Sequence, residues 1–287
     1  MGVSSLLPAP VKRLVRDRVK LARRAFVRAL YSFDKQDFRK ALERVGVRSG
    51  DVLMVHSSYD RFEGFRGSPS DVIQALQDAV SPGGTIMMPS MPFTGSTREW
   101  LNSGQVFDVR RTPSRVGLLT ELFRRSPGVV RTVHPTHPVA IWGALAEEMS
   151  RDAHTSTTPC GRPSPFARLV DVGGQSLMLG AGIEYMTFFH AVEEFLEGDM
   201  PFSPFTAETF ELHSKDAAGA LMTSRLRLLE PHYSSRRRVA ILTPELQRTG
   251  DWHETIVGRL SVLLLAADAV LKGCRSLAKQ GIFCYDR

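Results

Sequence analysis

The sequence contains no apolar run long enough to cross a bilayer, which takes about 20 residues. The best candidate, residues 260–271, is shorter than that and includes Asp268. The N-terminus is basic and partly apolar, but its charges interrupt the continuous apolar segment that a secretory signal needs. We therefore expect a cytoplasmic protein.

Cysteine is scarce, and its spacing is uninformative for metal binding. The three cysteines, Cys160, Cys274 and Cys284, are odd in number and lack metal-ligand spacing, so we expect a reducing compartment and no structural disulfides. Two histidines, His134 and His137, stand close together in a proline-rich stretch, but no third ligand lies near them. We therefore expect no bound metal.

Glycine-rich nucleotide motifs are missing too, since the chain has neither a P-loop nor a dinucleotide fingerprint. This absence disfavours ATP and dinucleotides and leaves open a pyrophosphate carrier such as coenzyme A. Residues 111–117 combine two guanidinium groups and two hydroxyls with the predicted start of a helix that runs from Pro113 through Arg125. They are a candidate phosphate cradle; the alternative is an ordinary helix start with proline at its first position.

The chain has the composition of a globular enzyme with a sizeable core, with 43% hydrophobic and 23% charged residues in a length of 287. Its net charge of +7 is uneven, because residues 11–28 carry eight lysines and arginines against one aspartate. Apolar residues recur at helical spacing through residues 10–33. We predict a basic amphipathic helix over residues 1–33 and a main domain over residues 34–287, with a smaller subdomain at residues 199–250.

The basic helix has more than one interpretation. It packs on the domain or on a partner subunit with its charges in water, or it lies on an anionic membrane surface at the inner face. Each basic side chain near such a surface contributes about 1 kcal/mol. Nucleic-acid binding is disfavoured because no aromatic residues interleave with the charges. We expect no nucleic-acid partner and keep peripheral membrane association through residues 10–33 as an alternative.

Compact apolar segments alternate with helical patterns along the chain. This alternation predicts an α/β fold with a mostly parallel central sheet flanked by helices. Residues 256–279 are predicted to be helical, and Ser70 is predicted to cap a helix over residues 72–80. The predicted strands are residues 52–55, 85–88, 176–179, 209–213 and 237–242.

Chemistry-bearing residues follow the predicted strands, where ligands of open α/β sheets bind. His56, Ser57 and Ser58 follow the first strand. His190 and Glu193 are three residues apart in a predicted helix, so the imidazole and the carboxylate share one face. A carboxylate on one ring nitrogen fixes the tautomer and leaves the other nitrogen as a base for the proton of an attacking amine. The alternatives are a structural hydrogen bond for this pair and a strand-end turn for His56.

An ordered set of short motifs resembles the aminoglycoside 3-N-acetyltransferase family. Each motif alone is unspecific, but the set follows the family's order and spacing over roughly residues 37–198. The motifs are GDVLMVHSS (50–58), GTIMMP (84–89), TPSRVG (112–117), HPTHPV (134–139), TPCG (158–161), SP (164–165), LGAG (179–182) and TFFHAVE (187–193). The resemblance implies acetyl-CoA-dependent transfer to an amino group of a sugar, on an α/β fold unlike that of the common N-acetyltransferase superfamily.

The resemblance also implies roles for individual residues. It implies that His190 is the catalytic base, that Glu193 supports it, and that His56 contributes on the thioester side. The acetyl-CoA cosubstrate would lie along Ser57, Ser58, Thr112, Ser114, Arg115, Val116 and Gly117. The amino-sugar acceptor is expected at Glu184, Glu194 and His137.

The sequence departs from the family's pattern in places that bear on the acceptor. Met186 stands where drug-modifying members carry an asparagine, and Cys160 stands where a bulky apolar residue is usual. The basic N-terminus is not typical of the family. The chain after residue 200 matches poorly, and that region would shape the acceptor pocket.

The acceptor is the point on which the hypotheses divide. Aminoglycosides are strongly cationic and favour sites lined with carboxylates, whereas residues 222–250 hold six arginines against two glutamates. Those arginines either face the acceptor or lie on a solvated face. Our first hypothesis is N-acetylation of a nucleotide- or lipid-linked amino sugar in surface-polysaccharide assembly. The alternatives are acetylation of aminoglycoside antibiotics and a degenerate binding protein without catalysis.

Overall fold

The computed structural model describes residues 26–286 together with Arg13, Arg18 and Val19. The predicted basic helix therefore lies largely outside the described residues. Its last part is helical at residues 26–30, where Val27 is buried against the domain. Within this described part of the chain, no helix is long and apolar enough to pass through a bilayer.

The described residues form ten strands in two sheets. The central sheet has seven strands and the second sheet has three. The strands are β1 (Val52–Ser57), β2 (Thr85–Pro89), β3 (Phe107–Asp108), β4 (Val130–Arg131), β5 (Val139–Gly143), β6 (Gln175–Leu179), β7 (Phe205–Lys215), β8 (Leu221–Leu229), β9 (His253–Val257) and β10 (Leu260–Ala266).

The central sheet has the order β4-β5-β2-β1-β6-β10-β9. Its centre is parallel, because β1 pairs in parallel with β2 on one side and with β6 on the other. Both flanks are antiparallel, since β5 pairs with β2 and β10 pairs with β6 in that sense. The α/β fold that the sequence predicts is confirmed, and the parallel strands are those whose carboxyl ends carry the candidate site residues.

Helices cover both faces of this sheet, and alternate strand residues feed two cores. Leu53 and Val55 of β1 pack with α1, α2 and α4 on one face, whereas Met54 packs with α6, α7 and α10 on the other. The helices are α1 (Lys35–Val45), α2 (Pro69–Val80), α3 (Thr97–Asn102), α4 (Leu118–Phe123), α5 (Ala146–Ser150), α6 (Pro165–Asp171), α7 (Phe189–Leu196), α8 (Pro231–Ser234), α9 (Thr243–Thr249) and α10 (Ala267–Ala278).

The second sheet is built on a long hairpin. Strands β7 and β8 pair antiparallel, with a register shift between Phe205 and Thr209, and the short β3 adds in parallel to β7. The hairpin falls within residues 199–250, where we predict a smaller subdomain. The backbone N–H of Arg227 in β8 donates to the carbonyl of Thr157, which ties the hairpin to the main domain.

Residues 256–279 are not a single helix, so that prediction is wrong. Strands β9 and β10 form an antiparallel hairpin joined at Gly258 and Arg259, and only residues 267–278 are helical. Strand β10 lies between β6 and β9 and is almost continuously buried. A strand buried on both faces loses the polar alternation that would identify it.

Three further local predictions are wrong. Residues 237–242 are not extended, because Val239–Leu242 forms a 3₁₀ turn. The cap of α2 is Ser68 in place of Ser70; its hydroxyl accepts from the N–H of Asp71, whose carboxylate accepts in return from the N–H of Ser68. Helix α4 begins at Leu118 after a loop, and so it does not start at Pro113.

Candidate active site

A cleft of about 820 Å³ opens at the carboxyl ends of β1, β2 and β6. This is the edge of the sheet at which ligands of such folds bind. The walls combine the residues that follow these strands with the loop before α4 and the first turn of α7. The lining residues include His56, Ser57, Ser58, Asp60, Arg61, Val116, Gly117, Glu184, Tyr185, Met186, Thr187, His190 and Arg237.

His190 and Glu193 form a hydrogen-bonded pair at the inner wall of the cleft. Nδ1 of His190 lies 2.7 Å from Oε2 of Glu193, with side-chain exposures of 14% and 1%. An ionised carboxylate only accepts hydrogen bonds, so Nδ1 carries the hydrogen and Nε2 carries the lone pair. Within the described chain, Nε2 has no hydrogen-bond partner in the structure. This ring nitrogen is therefore available to take a proton from a ligand in the cleft.

Glu193 has two further donors that sequence reasoning missed. Nε of Arg237 lies 2.6 Å from Oε1, and the hydroxyl of Tyr285 donates to the same oxygen. These partners stand 44 and 92 residues away from Glu193 in the chain, so no local spacing could have identified them. Glu193 thus connects the imidazole to the C-terminal part of the fold.

The electrostatics keep Glu193 ionised and His190 neutral. Burial by itself raises the pKa of Glu193, but His190 and Arg237 outweigh it and hold that pKa at about 2. Burial also lowers the pKa of His190, and the charge of Arg237 lowers it further, against the opposing effect of Glu193. At neutral pH the pair is therefore a neutral imidazole held by a carboxylate, which is the form required of a base.

His56 lies at the end of β1 and lines the cleft. Its Nε2 accepts the backbone N–H of Thr187 at 2.9 Å. Burial lowers the pKa of His56 to about 4, so the ring is neutral near pH 7. The structure brings His56 and His190 to one cleft, with the lone pair of His56 already engaged.

His137 is buried behind His190 and does not line the cleft. The two rings meet edge to face, with centroids 5.9 Å apart. Nδ1 of His137 lies 3.0 Å from the hydroxyl of Thr136, and the backbone N–H of His137 donates to Nδ1 of His134. No three or more His, Cys, Asp or Glu side chains among the described residues converge as metal ligands.

The residues predicted to cradle phosphate divide into two groups. Ser57, Ser58, Val116 and Gly117 line the cleft. The other three, Thr112, Ser114 and Arg115, do not line it and have structural contacts: Oγ1 of Thr112 accepts the N–H of Asp108, the N–H of Ser114 donates to Glu121, and the N–H of Arg115 donates to the carbonyl of Met91.

The two acidic residues predicted at the acceptor also separate. Glu184 lines the cleft, and its carboxylate accepts the backbone N–H groups of Val239 and Ala240. Glu194 does not line the cleft, and its carboxylate lies beside Gly161. Burial raises the pKa of Glu194, against a hydrogen bond from Thr158.

The arginines of residues 222–250 are matched with partners. Arg237 pairs with Glu193 and Arg227 with Glu197, both at 2.6 Å; the first pair is largely shielded from water, and the second is partly exposed. The remaining partners are Glu211 for Arg225, His232 for Arg236, Asp286 for Arg238 and Glu245 for Arg248. Apart from Arg237, none of these arginines lines the cleft.

Related curated proteins align with about half of the chain. Aminoglycoside N(3)-acetyltransferase III of Salmonella sp is 34% identical over 166 residues, covering 54% of this chain and 58% of that protein. Aminoglycoside N(3)-acetyltransferase VII of Streptomyces paromomycinus is 34% identical over 165 residues, covering 53% of this chain and 57% of that protein. The chain thus spans less than two thirds of the length of these relatives.

Solved structures match over most of the chain. The crystal structure of aminoglycoside acetyltransferase AAC(3)-Xa has a TM-score of 0.75 at 27% identity and covers 92% of this chain and 98% of that one. A mutant of aminoglycoside acetyltransferase AAC(3)-IVa in complex with a gentamicin has a TM-score of 0.73 at 26% identity and covers 90% and 93%. The profile of the aminoglycoside 3-N-acetyltransferase family matches residues 54–278. The chain belongs to this family.

Proposed function

We propose that this chain is an acetyl-CoA-dependent N-acetyltransferase whose acceptor is an amino group of an aminoglycoside. The observation that carries the proposal is the His190–Glu193 pair, with a free Nε2, at the inner wall of the cleft. Family membership supplies the reaction class. The intact pair also argues against the hypothesis of a degenerate, non-catalytic binding protein.

In this proposal His190 moves the proton. Acetyl-CoA, when bound, supplies the acetyl group as a thioester. Nε2 of His190 removes a proton from the amine as the amine nitrogen forms the new amide bond and the C–S bond of the thioester breaks, with the sulfur of coenzyme A as the leaving group. The Nδ1–H of His190 keeps its hydrogen bond to Glu193 throughout. The carboxylate stabilises the imidazolium that results, and general-base catalysis of this kind contributes roughly 10²–10⁴-fold in rate.

The size and lining of the cleft are suited to binding coenzyme A, although the chain has no glycine-rich nucleotide motif. The volume of about 820 Å³ lies within the range of small-molecule sites, about 300–1,000 Å³. Ser57, Ser58, Val116 and Gly117 would hold the cosubstrate, and Arg61, which also lines the cleft, supplies a positive charge suited to phosphate. Thr112, Ser114 and Arg115 are not part of this proposal, because they do not face the cleft.

The cleft offers carboxylates to a cationic acceptor, while the arginines of residues 222–250 are engaged elsewhere. The arginines of residues 222–250 that supported a nucleotide- or lipid-linked sugar have their own partners. The carboxylates of Asp60 and Glu184 line the cleft instead, and carboxylates attract ammonium groups. Our first hypothesis for the acceptor therefore loses its physical support, and the aminoglycoside alternative replaces it.

The experiment is a turnover assay with a panel of acceptors. The purified chain is incubated with acetyl-CoA, and a thiol reagent measures the release of coenzyme A with gentamicin, apramycin or a nucleotide-linked amino sugar. We expect release with the aminoglycosides. A clear preference for the nucleotide-linked sugar would contradict the proposed acceptor, and no release with any amine would contradict the proposed activity.

We also propose that the basic segment at residues 10–33 associates with anionic membranes. Two described side chains support this, since Phe26 and Leu30 are 55% and 64% exposed next to a run of basic residues. The variant Phe26→Ser/Leu30→Ser leaves the buried Val27 in place. We expect it to sediment less with phosphatidylserine vesicles than the parent chain does; equal sedimentation would contradict the proposal.

A further inference from the structure

The carboxylate of Glu193 accepts hydrogen bonds from three side chains, and two of them, Arg237 and Tyr285, lie far from it in the sequence. We infer that Arg237 and Tyr285 are positioning residues for the proposed acetyl transfer, holding Glu193 so that it orients the ring of His190. This inference rests on the proposed function and adds to it a contribution from the C-terminal segment.

The contacts assign each oxygen of Glu193 to different partners. Oε1 accepts from Nε of Arg237 at 2.6 Å and from the hydroxyl of Tyr285. Oε2 accepts from Nδ1 of His190 at 2.7 Å, with Nη2 of Arg237 at 3.3 Å. With Oε1 occupied, the carboxylate has little freedom to rotate, so Oε2 stays directed at the imidazole.

Tyr285 reaches this site because the C-terminal segment is fastened beside Arg237. The N–H of Arg238 donates to the carbonyl of Cys284 at 2.8 Å, and the N–H of Asp286 donates to the carbonyl of Arg236 at 2.7 Å. The ring of Tyr285 packs edge to face on Phe202, with centroids 5.0 Å apart. These contacts place the phenol on Glu193 from a position near the end of the sequence.

Arg237 supplies the positive charge that a buried, ionised Glu193 needs and that the neutral hydroxyl of Tyr285 cannot provide. Glu193 is 1% exposed and Arg237 is 15% exposed, and a buried carboxylate needs a compensating cation. The charged and titratable groups around His190 are Glu193, Arg237 and His137, and those around Glu193 also include Cys160 and Cys274. Among them Arg237 is the fixed cation, and it lowers the pKa of His190 while Glu193 raises it.

The first test removes one hydroxyl from the arrangement. Tyr285→Phe keeps the ring on Phe202 and deletes a donor to a charged group, so we expect kcat to fall by about 10-fold with KM for both substrates unchanged. Tyr233→Phe is the matched control, because Tyr233 stacks on the same Phe202 with centroids 4.1 Å apart and has no contact with Glu193. A Tyr285→Phe variant with the kcat of the parent would overturn the inference.

The second test has a readout other than activity. The pKa of His190 is followed by NMR titration of its imidazole, assigned by comparison with His190→Ala. We expect Arg237→Met to raise this pKa, because Glu193 then acts on the imidazole without the opposing cation. Arg237→Lys restores the charge without the two-point contact, so we expect the pKa of His190 to match that of the parent and kcat to be reduced. If Arg237→Met does not fold, Arg237→Lys tests the role of Arg237 through this fall in kcat.

The control for this test is Arg236→Gln, in which the neighbouring arginine contacts only the exposed His232 through its side chain. We expect it to change neither the pKa of His190 nor kcat. An unchanged pKa of His190 in Arg237→Met would refute the role of Arg237. The titration separates this inference from the proposed function, because it needs no turnover. If the parent chain is inactive but Arg237→Met still raises the pKa of His190, only the proposed function is contradicted.

Discussion

The backbone N–H of Thr187 donates to Nε2 of His56 at 2.9 Å. This hydrogen bond joins the end of β1 to the segment that leads into α7 and His190. It also fixes the tautomer of His56, because an accepting Nε2 requires the hydrogen to be on Nδ1, where the hydroxyl of Ser176 lies 3.5 Å away. His56 therefore positions the chain before His190 and keeps no free lone pair for a proton.

This relationship predicts how stability depends on pH. The pKa of His56 is about 4 in the folded chain against about 6.5 unfolded, so below pH 6.5 the unfolded state binds more protons. The contribution of His56 is complete above pH 6.5 and is lost as the pH falls towards 4, with a total of about 3 kcal/mol. We expect His56→Gln, which keeps an acceptor for Thr187, to flatten the fall in the free energy of unfolding between pH 6.5 and 4.5.

Denaturant titrations at several pH values measure this slope. His253→Gln is the control, because His253 is exposed on β9 and its replacement should leave the slope unchanged. A His56→Gln variant that loses stability with acid as steeply as the parent would show that His56 is not the group responsible.

The proposed base has a direct test in His190→Ala. We expect kcat to fall by at least about 10²-fold, because the substitution removes the lone pair on Nε2 that takes the proton of the amine. Thermal unfolding should show that the fold survives, since the imidazole is partly exposed in the cleft. The matched control is His253→Ala, which should keep the parent kcat; parental turnover by His190→Ala would remove this residue from the mechanism.

The pH dependence of kcat/KM reports the protonation of the free enzyme. Burial and Arg237 lower the pKa of His190 below its ordinary value, so we expect the midpoint of the acid limb to lie below pH 6.5. Removing the carboxylate with Glu193→Gln takes away the effect that raises this pKa. The acid limb should therefore move to lower pH, together with a lower kcat.

Initial rates between pH 5 and 8, in buffers of constant ionic strength, measure the limb for both proteins. An acid limb above pH 6.5 in the parent, or a limb that moves upward in Glu193→Gln, would contradict the proposed electrostatics of the pair.

The local part of the site could be predicted from the sequence. Val52–Ser57 is a compact apolar segment that ends in polar residues, so its strand and the position of His56 follow from the pattern. The His190–Glu193 contact follows in the same way from helical spacing. Both are interactions between neighbours in the chain, and periodicity describes such neighbours well.

The long-range part could not be predicted. Tyr285 meets Glu193 because β10 and α10 return the chain to the face where α7 packs. Arg237 meets it from the segment before the 3₁₀ turn Val239–Leu242, 44 residues after Glu193. A run of three arginines, residues 236–238, looks like a solvated surface when it is considered alone. The misassigned helix over residues 256–279 had a local signal against it, since Gly258, with a positive φ, stands between two apolar runs as in a tight hairpin.

The variant Asp60→Asn tests whether the acceptor is a cation. It lines the cleft and is exposed, so it can attract an ammonium group without being part of the proton transfer. We expect Asp60→Asn to raise KM for gentamicin by about 3- to 10-fold at low salt, with kcat and the KM for acetyl-CoA unchanged, because it removes one screened charge interaction. The effect should shrink in 1 M salt, where the Debye length is about 3 Å. Asp199→Asn, which removes an exposed carboxylate outside the cleft lining, is the control. An equal rise in KM in both variants would assign the effect to overall charge, and an unchanged or lower KM in Asp60→Asn would show that Asp60 does not attract the cationic acceptor.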